Sequence, residues 1–206
     1  MSAAAEHLSA VGHEWYLANS QYLKEELARL RLLIQLRVLW LRHLWQRDLA
    51  PELQNFNGMV ITDADADRLL WPGSSEAEAG FYAQSEPAQE VMRLLAGQRE
   101  RIVEAGQEAQ ACGAPPALEI LGRLFRLEEF ERNVLLLCLA PVIDPSFERL
   151  YGYVQDDATQ KYPTIGLAMQ IFGRESGGEN QQGHDWRHFA PAAPLQRFRL
   201  LHSEQM

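Results

Sequence analysis

The sequence predicts a mainly α-helical protein, in which a helical N-terminal part is followed by a winged-helix-like part with a short β-ribbon. Apolar residues recur at steps of three and four along most of the chain, which is typical of amphipathic helices. Proline and glycine interrupt the second half repeatedly, so that several short helices precede an extended tail. This order of elements is the layout of a winged helix. We place the two parts at residues 1–84 and 85–206.

The composition predicts a globular protein in a reducing compartment. Of the 206 residues, 47% are hydrophobic, and the net charge of −9 disfavours phosphate backbones and anionic membrane surfaces. The N-terminus lacks the basic and apolar regions of a secretion signal, and arginines interrupt each apolar run before it reaches membrane-spanning length. We therefore expect a cytoplasmic protein, in which the separated Cys112 and Cys138 stay reduced.

A first long helix is expected to begin at Ser20 and to end before Pro51, after a loosely ordered stretch over residues 1–19. Its apolar residues form two adjacent stripes, Leu23, Leu27, Leu30, Ile34, Val38, Leu41 and Trp45 in one and Leu32, Leu36, Leu39 and His43 in the other. A helix that is apolar over so much of its circumference must be covered on two sides, by its own domain and by a neighbour or partner chain. The candidate contacts for another protein are Leu32, Leu36, Leu39, Trp40 and Arg37; alternatively, the arginines only line the helix edges with packed stems and solvated heads.

The elements after residue 51 are predicted from helix-breaking and helix-capping residues. Residues 57–62 form a turn and a short β-branched run, residues 62–71 a capped helix and residues 72–75 a linker. A second long helix is predicted from Ser85 to Cys112–Gly113, with Pro87 in its first turn. Short helices are expected at 118–125, at 134–140, after Asp144–Pro145 and at 163–172, followed by a glycine-rich loop at 173–183 and a strand at 198–201. The 134–140 segment is apolar all round, so we expect it to be buried and to stop at Pro141.

No catalytic pattern is present. An ATP-hydrolysing site requires GxxxxGK[ST], because backbone amides hold the phosphates while the lysine reaches the outer ones. The two lysines, Lys24 and Lys161, follow Leu23 and Gln160 and not a glycine. No serine or cysteine nucleophile motif occurs either. We predict that this chain is not an enzyme and binds no cofactor.

Two incomplete patterns are typical of metal ligands. Aspartates alternate over Asp63–Asp67 as in a calcium loop, but Arg68 and Ser74 stand where that loop needs a glycine and an acid. We interpret them as a helix cap with acid in the first turn. His184 and His188 lie four residues apart, yet no third ligand has a recognisable spacing. The sequence therefore predicts no metal site.

DNA binding is disfavoured by the helix that would enter the groove. The recognition helix of such a fold needs polar or basic side chains. Its counterpart, Pro163–Phe172, offers Thr164 and Gln170 but neither lysine nor arginine. A DNA-binding regulator nevertheless remains the alternative from another functional class, and a purely structural oligomerisation domain is a third possibility.

Four segments, in order, resemble one group of AAA-type ATPases, those encoded with extracellular contractile injection systems. The segments are residues 57–70, NGMVITDADADRLL; residues 127–141, LEEFERNVLLLCLAP; residues 162–168, YPTIGLA, with Asp157 before them; and residues 193–201, APLQRFRLL. The chain departs from the group's pattern at Val142, where an acid is usual.

The resemblance implies an N-terminal, winged-helix-like part of such an ATPase, whose motor module would follow residue 206. ATP and Mg²⁺ would belong to that module alone. The implied partners are the chain's own ATPase module and a protein client, such as an injected effector or a component of the injection particle. A homo-oligomer is a further possibility, and no membrane or nucleic-acid partner is expected.

Overall fold

A computed structural model of the chain describes residues 2–48, 75–173 and 185–202. These residues form helices, turns and irregular connections, and no strand occurs among them. The helices are α1 (Ser2–Asp48), α2 (Ser75–Gln84), α3 (Glu86–Ala111), α4 (Ala117–Phe125), α5 (Glu129–Ile143), α6 (Ser146–Val154), α7 (Ile165–Phe172) and α8 (Pro194–Arg197), with a 3₁₀ turn at Asp185–Phe189. The prediction of a mainly α-helical protein is confirmed.

Helix α1 begins at Ser2, so the prediction that it starts at Ser20 is wrong. The preceding residues are rich in alanine, which has the highest helix propensity, and their polarity does not stop the helix. Tertiary hydrogen bonds also hold this part of α1: the Trp15 indole donates to the carbonyl oxygens of Ala114 and Pro115 at 3.0 and 3.1 Å. The early turns therefore have a tertiary partner that the apolar pattern does not reveal.

Helices α1 and α3 pack side by side in opposite directions. Near one end, the Asn19 side chain accepts a hydrogen bond from the Ala117 amide at 2.8 Å. Further along α1, the buried Gln98 side chain donates to the Glu25 carbonyl at 2.8 Å. The predicted bounds of α3 are confirmed, because its helix runs from Glu86 to Ala111 and Gly113 follows with a φ of 117°.

The second half builds its core around α5. Buried side chains of α5, α6 and α7 join those of α1 and α3 in one hydrophobic cluster, which includes Leu30, Ile34, Val91, Leu136, Leu137, Phe147, Tyr151, Leu167 and Phe172. Helices before and after residue 84 thus contribute to the same core. The division of the chain at that residue stays a prediction.

Helix α5 differs from its prediction in two ways. It continues through Pro141 to Ile143, whereas a stop was predicted at Pro141. A proline cannot donate to the carbonyl four residues earlier, and that carbonyl, of Leu137, instead accepts a hydrogen bond from the buried Tyr151 hydroxyl at 2.7 Å. The 134–140 segment is also not buried all round, since Leu139 is 37% exposed.

The predicted strand at 198–201 is not formed. Phe198 ends α8, Arg199 has a φ of 53°, and the Leu200 amide returns to the Leu195 carbonyl at 3.0 Å. These bonds close a helix end and use the amides of residues 198–200 locally, so these amides do not take part in strand pairing. The predicted elements at 57–71 and almost all of the glycine-rich loop at 173–183 lie outside the described residues. No described helix combines the length and the apolar character that a membrane span requires.

Candidate protein-binding groove

A groove of about 510 Å³ separates the C-terminal half of α1 from the α6–α7 region. Helix α2 contributes Glu78 at one side. The lining residues from α1 are Arg37, Trp40, Leu41, Leu44 and Trp45, and those from α6, α7 and their connection are Val154, Gln155, Asp156, Asp157, Gln160, Thr164, Gly166, Leu167 and Gln170. The groove therefore lies between the first long helix and the helix predicted to occupy the DNA-recognition position.

Apolar side chains form the floor of the groove. Trp40, Val154 and Leu167 are almost fully buried, while Leu41, Leu44 and Trp45 of α1 are only half-buried. Aromatic contacts fix both tryptophans: Trp40 lies 5.6 Å from the Phe81 ring, and Trp45 meets Tyr153 edge to face at 5.3 Å. Rigid, partly open apolar surface of this kind is what protein ligands bury.

Carboxylates form the rim beside α6. The helix ends in a Schellman turn, in which the Asp157 amide bonds to the Gly152 carbonyl at 3.0 Å and Asp156 adopts a φ of 55°. Hydrogen bonds from the Thr159 hydroxyl and amide lower the pKa of Asp157, so this exposed side chain keeps its negative charge well into the acidic range. The lining as a whole holds three carboxylates against one guanidinium, and it favours a cationic ligand.

Helix α7 forms the opposite wall. Thr164 caps it by accepting from the Leu167 amide at 3.1 Å, and the Gln155 side chain accepts from the Thr164 hydroxyl at 2.7 Å. The apolar face of α7 points into the core, and its exposed residues include Gly166 and Gln170 but no lysine or arginine. Beside the aspartates of the rim, this wall offers nothing that attracts a phosphate backbone.

The predicted contact residues of α1 lie mainly inside the chain. Leu32, Leu36 and Leu39 are half-buried and pack against the core. Trp40 and Arg37 line the groove, with Trp40 4% exposed and the Arg37 guanidinium 3.6 Å from the Glu78 carboxylate. The two stripes of α1 are thus largely covered by the chain itself, and a role of these five residues in binding another protein stays a prediction.

The acidic rim residues were not predicted from the sequence. Asp157 was noted only as part of the family resemblance, and Asp156 was not singled out; the packing of α1 against the α6–α7 connection brings both near Trp40 and Trp45. The one available signal was the paired acids directly after a helix whose apolar face is clear.

The two incomplete metal-ligand patterns lie only partly within the described residues. His188 is 5% exposed, stacks on Phe130 and has its Nδ1 atom 3.5 Å from a Glu131 carboxylate oxygen. His184 and Asp63–Asp67 lie outside the described residues. Within the described ranges, no group of three or more histidine, cysteine or carboxylate side chains could hold a metal ion. Cys112 and Cys138 are free thiols, and burial raises the pKa of Cys138 to about 11.

A family model for a winged helix domain, described as a variant, matches residues 5–206. The chain belongs to this winged helix family. No curated protein and no solved structure matches it. Winged helix domains bind DNA or other proteins, so membership makes one of these two ligand classes the expected one.

The DNA-recognition position was predicted at residues 163–172, which contain α7. In this chain, α1 packs near α7, and the groove lies between the two helices. The helix that was predicted to occupy the DNA-recognition position is thus a wall of an acidic, partly apolar groove.

Proposed function

We propose that this winged helix domain binds a protein client, and that a client segment carrying both apolar and basic side chains lies in the groove between α1 and α7. The observation that carries the proposal is the pairing of an apolar floor with a carboxylate rim beside a helix that has no cationic side chain. Leu41, Leu44 and Trp45 would bury the apolar side chains of the client. Asp157 would pair with its basic ones, and the same charge repels DNA.

We further propose that the domain serves an AAA-type ATPase without having a catalytic site of its own. The support is the resemblance of four ordered segments between residues 57 and 201 to the ATPases of contractile injection systems. In that setting the client is an injected effector or a tube or sheath component, held in the cytoplasm while a separate module uses ATP and Mg²⁺.

Fluorescence anisotropy with designed peptides tests the groove. The first probe is a helical peptide of about 15 residues with leucine on one face and arginine on the other. Matched probes replace arginine by glutamate or leucine by serine. We expect only the first probe to bind, with a Kd of roughly 10–100 μM. Equal binding of the acidic peptide, or no binding of the first, contradicts the proposal.

Gly166 offers a variant that blocks the groove without disturbing the core. A Cβ atom there would meet only the Thr164 hydroxyl, at an ordinary 3.6 Å. Gly166→Arg places a long cationic side chain at the groove wall, where it competes with the arginines of the probe. We expect binding to weaken about tenfold. Gly12→Arg is the matched control, because a Cβ atom at Gly12 has no neighbour within 4 Å and lies on α1 far from the groove.

The in-frame DNA after the codon for Met206 tests the link to an ATPase independently of the peptide experiments. A GxxxxGK[ST] motif downstream is the expected result. A stop codon with no ATPase gene beside it would count against the link, while the groove proposal would stand on its own binding data.

A further inference from the structure

A second surface, on α4 and α8, has the opposite charge. We call it the arginine surface; it comprises Leu121, Arg123, Leu124 and Arg126 with Arg197, Phe198 and Arg199. The Phe125 and Phe198 rings lie 5.0 Å apart and join the C-terminal ends of the two helices. All seven residues of the surface are exposed, Leu124 by 69% and Phe198 by 43%.

The two helix ends are built in the same way. Each closes with a Schellman turn: the Leu127 amide bonds to the Gly122 carbonyl at 2.8 Å, and the Leu200 amide to the Leu195 carbonyl at 3.0 Å. Arg126 and Arg199 occupy the left-handed position, with φ values of 54° and 53°. Glycine is the usual residue there, since a side chain costs about 1 kcal/mol in that conformation. Two arginines thus stand where local stability favours glycine.

The charge of this surface contrasts with that of the whole chain. Residues 121–127 and 186–202 contain no acidic residue, although the net charge of the protein is −9. Within the described ranges, Arg123, Arg126, Arg197 and Arg199 form no ion pair, and the nearby Glu128 is held by Arg187 at 2.9 Å. Arg197 lies over the Phe198 ring at 5.3 Å from its centroid. The four guanidinium groups are therefore available to an anionic partner.

We propose that the arginine surface is a docking site for an acidic, amphipathic protein segment, separate from the groove. Charge complementarity requires the partner to be anionic, and the exposed leucines and phenylalanine require it to carry apolar side chains as well. A nucleic acid would satisfy the arginines but would leave Leu121 and Leu124 in water. The domain would then hold a basic client segment in the groove and an acidic partner segment on the arginine surface.

The test uses the full chain and fluorescein-labelled probes of about 16 units at about 50 and 300 mM salt. The main probe is a peptide with glutamate and leucine on opposite helical faces. The comparison probes are a scrambled peptide of the same composition and a mixed-sequence DNA, single- and double-stranded. We expect the amphipathic peptide to bind at least about fivefold more tightly than any of the three comparison probes, and to bind more weakly at high salt than at low salt.

The decisive variant is Arg126→Gly with Arg199→Gly. Both changes relieve the left-handed backbone, so this protein should melt at a higher temperature than the wild type, while its affinity for the peptide falls about tenfold. Arg93→Gln with Arg149→Gln removes two exposed charges elsewhere and should leave binding unchanged. Unchanged peptide binding by the double glycine variant overturns the proposal. Tighter binding of DNA than of the peptide overturns it too, and would assign the surface to nucleic acid.

Discussion

Side-chain hydrogen bonds between buried polar residues connect α1 to α5. Arg29 is 7% exposed; its Nε donates to a Glu26 carboxylate oxygen at 2.9 Å, and its Nη2 donates to the Asn133 side chain at 2.6 Å. The Tyr22 hydroxyl donates to the other Glu26 oxygen at 3.1 Å. Burial and the neighbouring Glu26 and Glu119 carboxylates raise the pKa of Tyr22, so the tyrosine stays neutral and keeps its proton for these bonds.

Replacing Arg29 by alanine should lower the free energy of unfolding by about 3–5 kcal/mol. The reason is that Glu26, itself 8% exposed, would keep a buried charge without its partner. Urea denaturation followed by circular dichroism measures the loss.

Arg93→Ala provides the comparison for that measurement. Arg93 pairs with Glu90 on the surface of α3, where the two side chains are 73% and 50% exposed. Its removal should cost less than about 0.5 kcal/mol. Equal losses from the two variants would show that burial of the Arg29 pair contributes nothing.

Two helical glycines, Gly152 and Gly97, differ in the space that an added Cβ atom would have. A Cβ atom on Gly152 would lie 3.1 Å from the Asp157 carbonyl oxygen, because the Schellman turn after α6 folds back onto the helix. A Cβ atom on Gly97, in the middle of α3, would meet only the end of the Arg101 side chain, at 3.9 Å. The first glycine therefore lies at a close approach of the backbone, and the second does not.

Gly152→Ala should destabilise the protein by about 1–2 kcal/mol, because the backbone at the acidic rim must shift. Gly97→Ala should stabilise it by about 0.5–1 kcal/mol, since alanine is the better helix former. Thermal melts of the two variants and the wild type provide the measurement. A stabilising Gly152→Ala would show that the turn can relax freely.

Sequence patterns located the helices better than their ends and surfaces. Pro87 and Gly113 bound α3 correctly because both act locally. Helix α5 continues through Pro141, and the Tyr151 hydroxyl donates to the Leu137 carbonyl that the proline leaves without its helical donor. The periodicity of apolar residues does not reveal this contact. The strand at 198–201 was wrong because Arg199 closes α8 in a conformation that is uncommon for arginine.

The sequence did not predict the groove, although two of the five candidate contact residues line it. Trp40 and Arg37 were singled out because α1 has more apolar surface than one neighbour can cover, and both do line the groove. To predict the acidic half of the groove, one would need to know where Asp157 lies relative to α1. That position follows from the packing of α6 and α7 against α1, and the paired acids after α6 do not by themselves reveal it.

At the scale of the whole molecule, α1 supplies much of the shared core. It contacts α3, α5, α6 and α7 and contributes Leu30 and Ile34, which are fully buried. Residues 1–84 were predicted to form a region separate from 85–206, so the cooperativity of unfolding now decides between one folding unit and two.

We expect a single unfolding transition in urea. Three of the five tryptophans, Trp15, Trp40 and Trp45, lie on α1, so tryptophan fluorescence reports mainly on this helix, whereas circular dichroism follows all helices together. The two signals should give the same midpoint if α1 cannot unfold without the common core. Separate midpoints would instead favour the division at residue 84.

The unbroken course of α1 also restricts how relatives can differ in length. Trp15 holds one end of this helix to the α3–α4 connection, and Trp40 holds the other to Phe81. One residue inserted between them would turn everything beyond it by about 100°, since a helix has 3.6 residues per turn, and Trp40 would face water. Insertions and deletions among homologues should therefore be absent between these two tryptophans, or come in multiples of about seven residues.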